Sequence, residues 1–211
     1  MKPARSAVVA DDHPVVRAAV KILLKQEGFH PIHEVSSGNE VFSAIREHQP
    51  DLVVLDLMMP RLGGLEVLAR IQASDERCRV LVFTGQDPRF YQDRCMRAGA
   101  VAYVSKSNDL QHLHEAVHAV MAGYTYFAKL PSSSVALSTL QCNEKEMIHR
   151  LSDRELTILV YLAKGLGNKE IAELMNLSPK TTSTYKTRLK EKLNVESNVH
   201  LSHFARRHEL I

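Results

Sequence analysis

Short apolar runs alternate with longer helical patterns five times over residues 1–125. The strand candidates are Ala7–Ala10, Ile32–Val35, Leu52–Leu55, Val80–Phe83 and Ala102–Val104. The helical stretches that follow them are Val15–Glu27, Gly38–His48, Gly64–Ala73, Arg89–Ala98 and Asp109–Ala122. Strands that alternate with helices in this way predict an α/β fold with a doubly wound parallel sheet.

The rest of the chain follows a different pattern. Residues 126–149 lose the periodicity and include the turn-forming run Pro131-Ser132-Ser133-Ser134, which is typical of a linker. From 150 to 211 the pattern is helical throughout. We therefore predict three parts: an α/β domain at 1–125, a linker at 126–149 and an all-α domain of four helices at 150–211.

Charge is distributed unevenly along the chain. Residues 1–125 hold 14 Lys and Arg against 15 Asp and Glu, whereas residues 150–211 hold 11 against 7. This asymmetry predicts that the helical part meets a polyanion. The three cysteines form no CxxC pair, and no signal peptide or apolar stretch of ~18–20 residues is present, so a cytoplasmic protein without a membrane segment is expected.

Four of the five predicted strands are followed by, or end in, a polar residue suited to phosphate chemistry. Asp11 and Asp12 follow the first strand, Asp56 the third, Thr84 the fourth, and Lys106 lies just after the fifth. The carboxyl ends of parallel strands meet at one edge of a sheet, where ligands bind. Crowded carboxylates favour Mg²⁺, and a lysine beside them suits an incoming phosphoryl group. The set predicts phosphoryl transfer to Asp56 with Mg²⁺ as cofactor.

The C-terminal part contains well-marked helix starts. Ser152 and Glu155 form a capping-box pattern, a second helix begins near Asn168, and Ser178 followed by Pro179 opens a third helix that runs to about Leu193. Between residues 180 and 192 this third helix carries five basic residues and one acidic residue. Two helices joined by a short turn, with the second strongly basic, predict a helix-turn-helix that binds DNA.

Helical spacing divides the third helix into two faces. Thr182, Tyr185, Leu189 and Leu193 are expected to face the core. The predicted DNA contacts are Lys180, Ser183, Thr184, Lys186, Thr187 and Arg188. Short hydroxyl side chains among long cations suit base contacts flanked by phosphate contacts.

Three other functions fit the sequence less well. An aspartate-nucleophile phosphatase would need a second Asp two residues after Asp56, where this chain has Met58. A nucleotide-binding enzyme would need a glycine-rich loop after the first strand, and none follows Ala10 in this chain. A third alternative is a constitutive DNA-binding protein whose α/β domain is never phosphorylated.

The α/β part resembles the receiver domains of response regulators, through Asp11-Asp12, Asp56, Thr84 and Lys106 in order and spacing. The resemblance implies that Asp11, Asp12, Asp56 and the main-chain carbonyl of Met58 bind Mg²⁺, and that Thr84 and Lys106 bind the phosphoryl group. Tyr103 occupies the family's switch-aromatic position; the alternative is a strand-end aromatic that simply packs on the core. Ser107 stands where many receivers have proline.

The helical part resembles the LuxR-type DNA-binding domain. The matching segments are Leu-Ser-Asp-Arg-Glu-Leu, Lys-Gly-Leu-Gly-Asn-Lys-Glu-Ile-Ala and Leu-Ser-Pro-Lys-Thr-Thr-Ser-Thr-Tyr-Lys. A receiver joined to this domain is similar to the NarL/FixJ response regulators, and Ala-Gly-Tyr-Thr-Tyr-Phe at 122–127 is closest to their BvgA/EvgA type. The resemblance implies a transcription regulator, not an enzyme. Its expected partners are DNA, a hybrid-type sensor histidine kinase, RNA polymerase and, on phosphorylation, a second copy. It also implies base reading by Ser183, Thr184 and Thr187.

Overall fold

The computed structural model describes residues 5–74, 76–128, 144 and 146–211 of the 211-residue chain. The chain divides into two compact units, Met1–Ala128 and Lys129–Ile211. No described helix is both long enough and apolar enough to cross a membrane.

The first unit is built on a five-stranded sheet. Its strands are β1 (Arg5–Ala10), β2 (Phe29–Val35), β3 (Leu52–Leu55), β4 (Arg79–Thr84) and β5 (Ala102–Ser105). They lie in the order β2-β1-β3-β4-β5 and every neighbouring pair is parallel. The strand order reverses between β1 and β3, which brings the carboxyl ends of these two strands together at the point where such sheets bind ligands. The predicted doubly wound fold is confirmed.

Four helices connect the strands, a fifth follows β5, and together they cover both faces of the sheet. They are α1 (Pro14–Gln26), α2 (Gly38–His48), α3 (Gly64–Gln72), α4 (Pro88–Arg97) and α5 (Leu110–Met121). Buried side chains of α1 and α5, among them Leu24 and Leu113, form one core with Val9 and Val54 of the sheet. Because successive strand residues point to opposite faces, Val8 and Val53 face the other side of the sheet.

The second strand begins earlier than its sequence pattern predicts. β2 spans Phe29–Val35 instead of Ile32–Val35. It lies at the edge of the sheet, and His30 and Pro31 are exposed, so its apolar signal is weak. Proline is tolerated at a sheet edge because its missing N–H need not face another strand.

Over residues 150–211 the second unit contains the four predicted helices. They are α6 (Asp153–Ala163), α7 (Asn168–Leu174), α8 (Pro179–Leu193) and α9 (Asn198–Arg207), and residues 146–149 add a helical segment before them. Each contributes fully buried side chains to the interior, including Leu156, Ile171, Leu189 and Leu201. This unit therefore has its own hydrophobic core.

The described ends of the predicted linker each belong to a neighbouring unit. Tyr126 extends the sheet: its N–H donates to the Val101 carbonyl at 3.0 Å, and its carbonyl accepts from the Tyr103 N–H at 2.9 Å. At the other end, Glu144 accepts from Arg207 at 2.6 Å. Residues 129–143 and 145 lie outside the described residues, so the boundaries at 125 and 149 stay predictions.

Candidate functional site

Asp56 lies directly after the buried strand β3 and is itself 3% exposed. Its backbone N–H donates to the Ala10 carbonyl at 2.9 Å, which ties it to the end of β1. Its Oδ1 accepts from the Leu57 N–H at 2.7 Å, and the Met58 N–H lies at 3.4 Å from the same oxygen. The carboxylate is therefore held in a fixed orientation at the edge of the sheet.

Asp11 and Asp12 follow β1 at the same edge. Asp11 is 2% exposed, and its Oδ1 accepts from the His13 N–H at 2.9 Å. Asp12 is exposed, and its Oδ1 lies 2.6 Å from His13 Nδ1. One ligand atom from each of Asp11, Asp12, His13 and Asp56 falls within 4.8 Å of the others. Carboxylate oxygens grouped in this way are compatible with Mg²⁺.

Lys106 crosses this site from the end of β5. Its Nζ lies 2.6 Å from Asp11 Oδ2 and 2.7 Å from Asp56 Oδ2. Burial lowers the pKa of Lys106, but attraction to Asp56 and hydrogen bonds to both carboxylates outweigh it, so the net shift is upward. The pKa of Asp11 is raised by burial and by repulsion from Asp56, against hydrogen bonds from Lys106 and His13. The ammonium thus partly balances two buried carboxylates.

Thr84 and Tyr103 lie on the neighbouring strands and are both buried. The Lys106 N–H donates to the Thr84 carbonyl at 2.7 Å. The Tyr103 hydroxyl donates to the Gln86 carbonyl at 2.8 Å, two residues beyond Thr84. Burial raises the pKa of the Tyr103 phenol, and nearby Cys95 and Tyr91 add to this shift. The Tyr103 ring is therefore buried within the domain, and its hydroxyl holds the loop that follows β4.

Gly64 supports the site in a way that sequence reasoning missed. It opens α3, and a Cβ there would lie 2.3 Å from the Asp56 carbonyl oxygen and 2.7 Å from Leu57 Cα. Its N–H donates to the Leu57 carbonyl at 2.9 Å. The only sequence signal is the pair Gly63-Gly64, because a close backbone approach leaves no periodic pattern.

The basic helix α8 begins as the sequence predicts. The Ser178 hydroxyl oxygen accepts from the Thr181 N–H at 3.0 Å and caps the helix, with Pro179 at its first position. Thr182, Leu189 and Leu193 are buried against the domain core. Tyr185 differs from its predicted burial: it is half-exposed, and the Arg188 guanidinium lies 5.9 Å from its ring centroid.

The outer face of α8 carries hydroxyls and cations. The exposed members of the predicted set are Lys180, Ser183, Thr184, Thr187 and Arg188. The hydroxyls of Ser183, Thr184 and Thr187 each donate to the carbonyl four residues earlier, at 3.0, 3.1 and 3.3 Å. These bonds fix the side chains close to the helix and leave oxygen lone pairs available on its surface.

Lys186 is half-buried and is held by Asn168, the first residue of α7. Its Nζ donates to Asn168 Oδ1 at 2.7 Å, while Asn168 Nδ2 donates to the Ser183 hydroxyl at 3.0 Å. Burial lowers the pKa of Lys186, and repulsion from Lys190 lowers it further. Asn168 therefore fixes two predicted DNA contacts, a role that sequence spacing did not suggest.

Lys192 and Glu155 join α8 to α6. The side chain of Glu155 is 4% exposed, and its Oε2 accepts from Lys192 Nζ at 2.7 Å. The same oxygen accepts from the Ser152 N–H at 2.8 Å, so the predicted capping box is present and is extended by the lysine. Burial alone would raise the pKa of Glu155, but hydrogen bonds from Lys192 and Ser152 hold it below its ordinary value of 4.5.

Comparison with known families finds two matches that lie on the two units. Residues 7–118 match the response regulator receiver domain, and residues 149–205 match the bacterial regulatory proteins of the luxR family.

Individual relatives span nearly the whole chain. The virulence-factor transcription regulator BvgA of Bordetella pertussis is 46% identical over 203 residues, which cover 96% of this chain and 97% of BvgA. The response regulator UvrY of Escherichia coli is 34% identical over 207 residues, 97% of this chain and 95% of UvrY. A solved structure of the Salmonella typhimurium RcsB response regulator superposes with a TM-score of 0.74 at 22% identity. It covers 97% of this chain and 98% of RcsB, and indicates a shared fold.

Proposed function

Because the chain belongs to the NarL/FixJ family of two-component response regulators, with a receiver and a LuxR-type DNA-binding domain, we propose that phosphorylation of Asp56 controls its DNA binding. The observation that carries this proposal is the pair of contacts from Lys106 Nζ to Asp11 and Asp56, at 2.6 and 2.7 Å. One cation bridges a carboxylate suited to metal binding and a carboxylate suited to accepting phosphate. The regulator acts on transcription, and its own chemistry is confined to gaining and losing this phosphoryl group.

The proposed reaction transfers a phosphoryl group from a phosphohistidine of a sensor kinase. A carboxylate oxygen of Asp56 attacks phosphorus, the P–N bond breaks, and the freed imidazole nitrogen takes up a proton. Asp11, Asp12, Asp56 and the main-chain carbonyl of Met58 would hold Mg²⁺, which would supply positive charge to neutralise the phosphoryl oxygens.

The chain's own groups then hold the product. The backbone N–H of Leu57 fixes the Asp56 carboxylate before attack. Lys106 exchanges its contact with the ionised carboxylate for one with phosphoryl oxygens, because that carboxylate loses charge when it becomes an acyl phosphate. The Thr84 hydroxyl donates to a phosphoryl oxygen, which moves Thr84 towards the phosphoryl group. Tyr103 changes position with it, because its hydroxyl is bonded to the Gln86 carbonyl in the loop that follows Thr84.

Incubation of the full chain with Mg²⁺ and acetyl phosphate tests the acceptor. We expect one added phosphoryl group by intact mass, and none in Asp56→Asn. Asp51→Asn is the matched control, since Asp51 lies at the other end of β3 and bonds the Ser6 N–H. Asp12→Ala should slow phosphoryl uptake by weakening the binding of Mg²⁺. Uptake by Asp56→Asn at the wild-type rate would disprove the assignment.

For the DNA-binding domain we propose that α8 enters the major groove. The residues in contact would be Lys180, Ser183, Thr184, Lys186, Thr187 and Arg188, all of which lie on its outer or flanking surface. Ser183, Thr184 and Thr187 would read bases and the cations would meet phosphates.

One short helix makes few base contacts, so tight binding calls for two copies on half-sites about 10 bp apart. We propose that phosphorylation favours this homodimer, that a hybrid-type sensor kinase is the phosphodonor, and that RNA polymerase is a further partner. Sedimentation of phosphorylated and unphosphorylated protein measures the first point. Equal dimer fractions in both would remove phosphorylation as the assembly signal.

A further inference from the structure

Two histidines of α5 share one face of that helix, away from the carboxylate site. His114 and His118 are four residues apart, which places their side chains one above the other. Their ring centroids lie 4.7 Å apart. The side chains are 41% and 63% exposed, so an ion from solvent can reach both rings.

A carboxylate from a different helix lies between these two rings. Glu27 follows the last residue of α1, and its side chain is 15% exposed. Its Oε1 lies 2.7 Å from His114 Nε2, and its Oε2 lies 2.8 Å from His118 Nε2. Both imidazoles therefore present the same ring nitrogen to one carboxylate, and the three ligand atoms fall within 4.8 Å of one another.

We propose that Glu27, His114 and His118 form a Zn²⁺ site that joins the end of α1 to α5. Two imidazole nitrogens and one carboxylate are a ligand set that binds zinc with an open fourth position for water. Zinc–nitrogen distances near 2.05 Å and tetrahedral angles separate ligand atoms by about 3.3 Å. The two nitrogen–oxygen distances of 2.7 and 2.8 Å are about half an ångström shorter than this spacing, so each ring would have to move outward from the Glu27 oxygen that it contacts.

The ligand set also separates this site from the proposed Mg²⁺ site. Imidazole nitrogen favours zinc and its neighbours in the transition series, whereas a site rich in carboxylates favours magnesium. Asp11 and Asp12 precede α1 and Glu27 follows it, so the two sites lie at opposite ends of a 13-residue helix, about 20 Å long. Zinc at Glu27 can therefore bind independently of phosphorylation.

Without a metal, the same three residues form hydrogen bonds or ion pairs between imidazoles and a carboxylate. That arrangement gives no reason for zinc to bind more tightly here than elsewhere on the chain. A zinc site and a cluster held only by hydrogen bonds or ion pairs therefore predict different affinities for zinc. Only the zinc site predicts that this affinity depends on Glu27, His114 and His118.

Zinc titration of the full chain by calorimetry distinguishes them. The titration uses protein without a histidine tag, in excess Mg²⁺. We expect one zinc per chain, with affinity at least about 10-fold weaker in His118→Ala and in Glu27→Gln, since changes even to groups behind metal ligands cost that much. His112→Ala is the control, because His112 is on the same helix and contacts Tyr126 at 3.1 Å instead.

Circular dichroism of each variant checks folding, and EDTA must reverse the binding. Absence of a zinc-binding event in the wild type would overturn the proposal. So would wild-type stoichiometry and affinity in His118→Ala, which would place the ion elsewhere, for example at the Asp11 and Asp56 carboxylates.

Discussion

Replacing Lys192 by methionine should lower the stability of the DNA-binding domain by removing a contact in its interior. Lys192 contributes to the positive charge of α8, yet its Nζ binds Glu155 Oε2 at 2.7 Å, in the interior of the domain. That oxygen also accepts from the Ser152 N–H at 2.8 Å and the Ser152 hydroxyl at 2.9 Å. Methionine keeps the length and apolar stem of lysine and removes one of these three donors.

The expected loss follows from the exposure of the two partners. A hydrogen bond to a charged group is worth about 1.5–3 kcal/mol. The Lys192 side chain is 44% exposed, so solvent screening reduces this value. We expect the free energy of unfolding of the helical domain to fall by about 1–2 kcal/mol, which is a 5–30-fold change in its unfolding equilibrium.

Hydrogen exchange of the full chain, followed by mass spectrometry, measures this change in one experiment. Buried amides of α6, near Leu156 and Leu159, should exchange about 5–30-fold faster in Lys192→Met. Peptides of the receiver should not change and serve as an internal control. Lys190→Met removes the same charge from the same helix. If α6 exchanges equally in the wild type and Lys192→Met, or if Lys190→Met has the same effect, the buried pair is not what stabilises the domain.

Three further predictions concern pH, backbone packing and DNA contacts. The pKa of Glu155 is lower in the folded chain than its ordinary 4.5, so its contribution to stability is present above that pH and is lost as pH falls below it. Acid titration of α6 exchange should show this loss in the wild type and not in Glu155→Gln. Gly64→Ala should slow acetyl phosphate uptake and cost about 1–3 kcal/mol, because the new Cβ meets the carbonyl of the proposed acceptor at 2.3 Å. Gly63→Ala, whose Cβ meets nothing nearer than 3.8 Å, should leave the uptake rate unchanged. Lys186→Ala should weaken binding to all duplexes and lower the salt slope by about one. Thr187→Ala should cost about 1–3 kcal/mol on the preferred site only, and equal losses on a scrambled duplex would contradict the orientation of α8.

The α/β fold and the cluster of predicted site residues could be derived from sequence because both depend on simple periodicity. Leu52–Leu55 is an unbroken apolar run, and all four residues are buried in the sheet. The residue after such a strand must lie at its carboxyl end, so Asp11 and Asp56 had to meet once the strands were parallel and adjacent. No knowledge of side-chain partners was needed for that step.

Specific partners within the helical domain could not be derived in this way. Periodicity assigns a residue to a face of a helix, but it does not say which side chain of another helix lies opposite. Asn168 with Lys186, and Glu155 with Lys192, join different helices. Tyr185 has helical spacing typical of the core, yet it lies half-exposed beside a guanidinium.

These inward contacts change how the charge of α8 should be counted. The helix carries five cations between residues 180 and 192, and each cation that neutralises a DNA phosphate adds about 0.9 to the slope of log affinity against log salt. Lys192 already faces the Glu155 carboxylate at 2.7 Å, so moving it to a phosphate would leave a buried charge without its cation. At most four cations of each α8 remain for phosphates, so the helix would contribute a slope of no more than about 3.6 per chain instead of about 4.5. The number of cations on α8 therefore overstates the salt dependence of DNA binding. The cation that does not count is Lys192, whose charge instead holds α8 to α6 through Glu155.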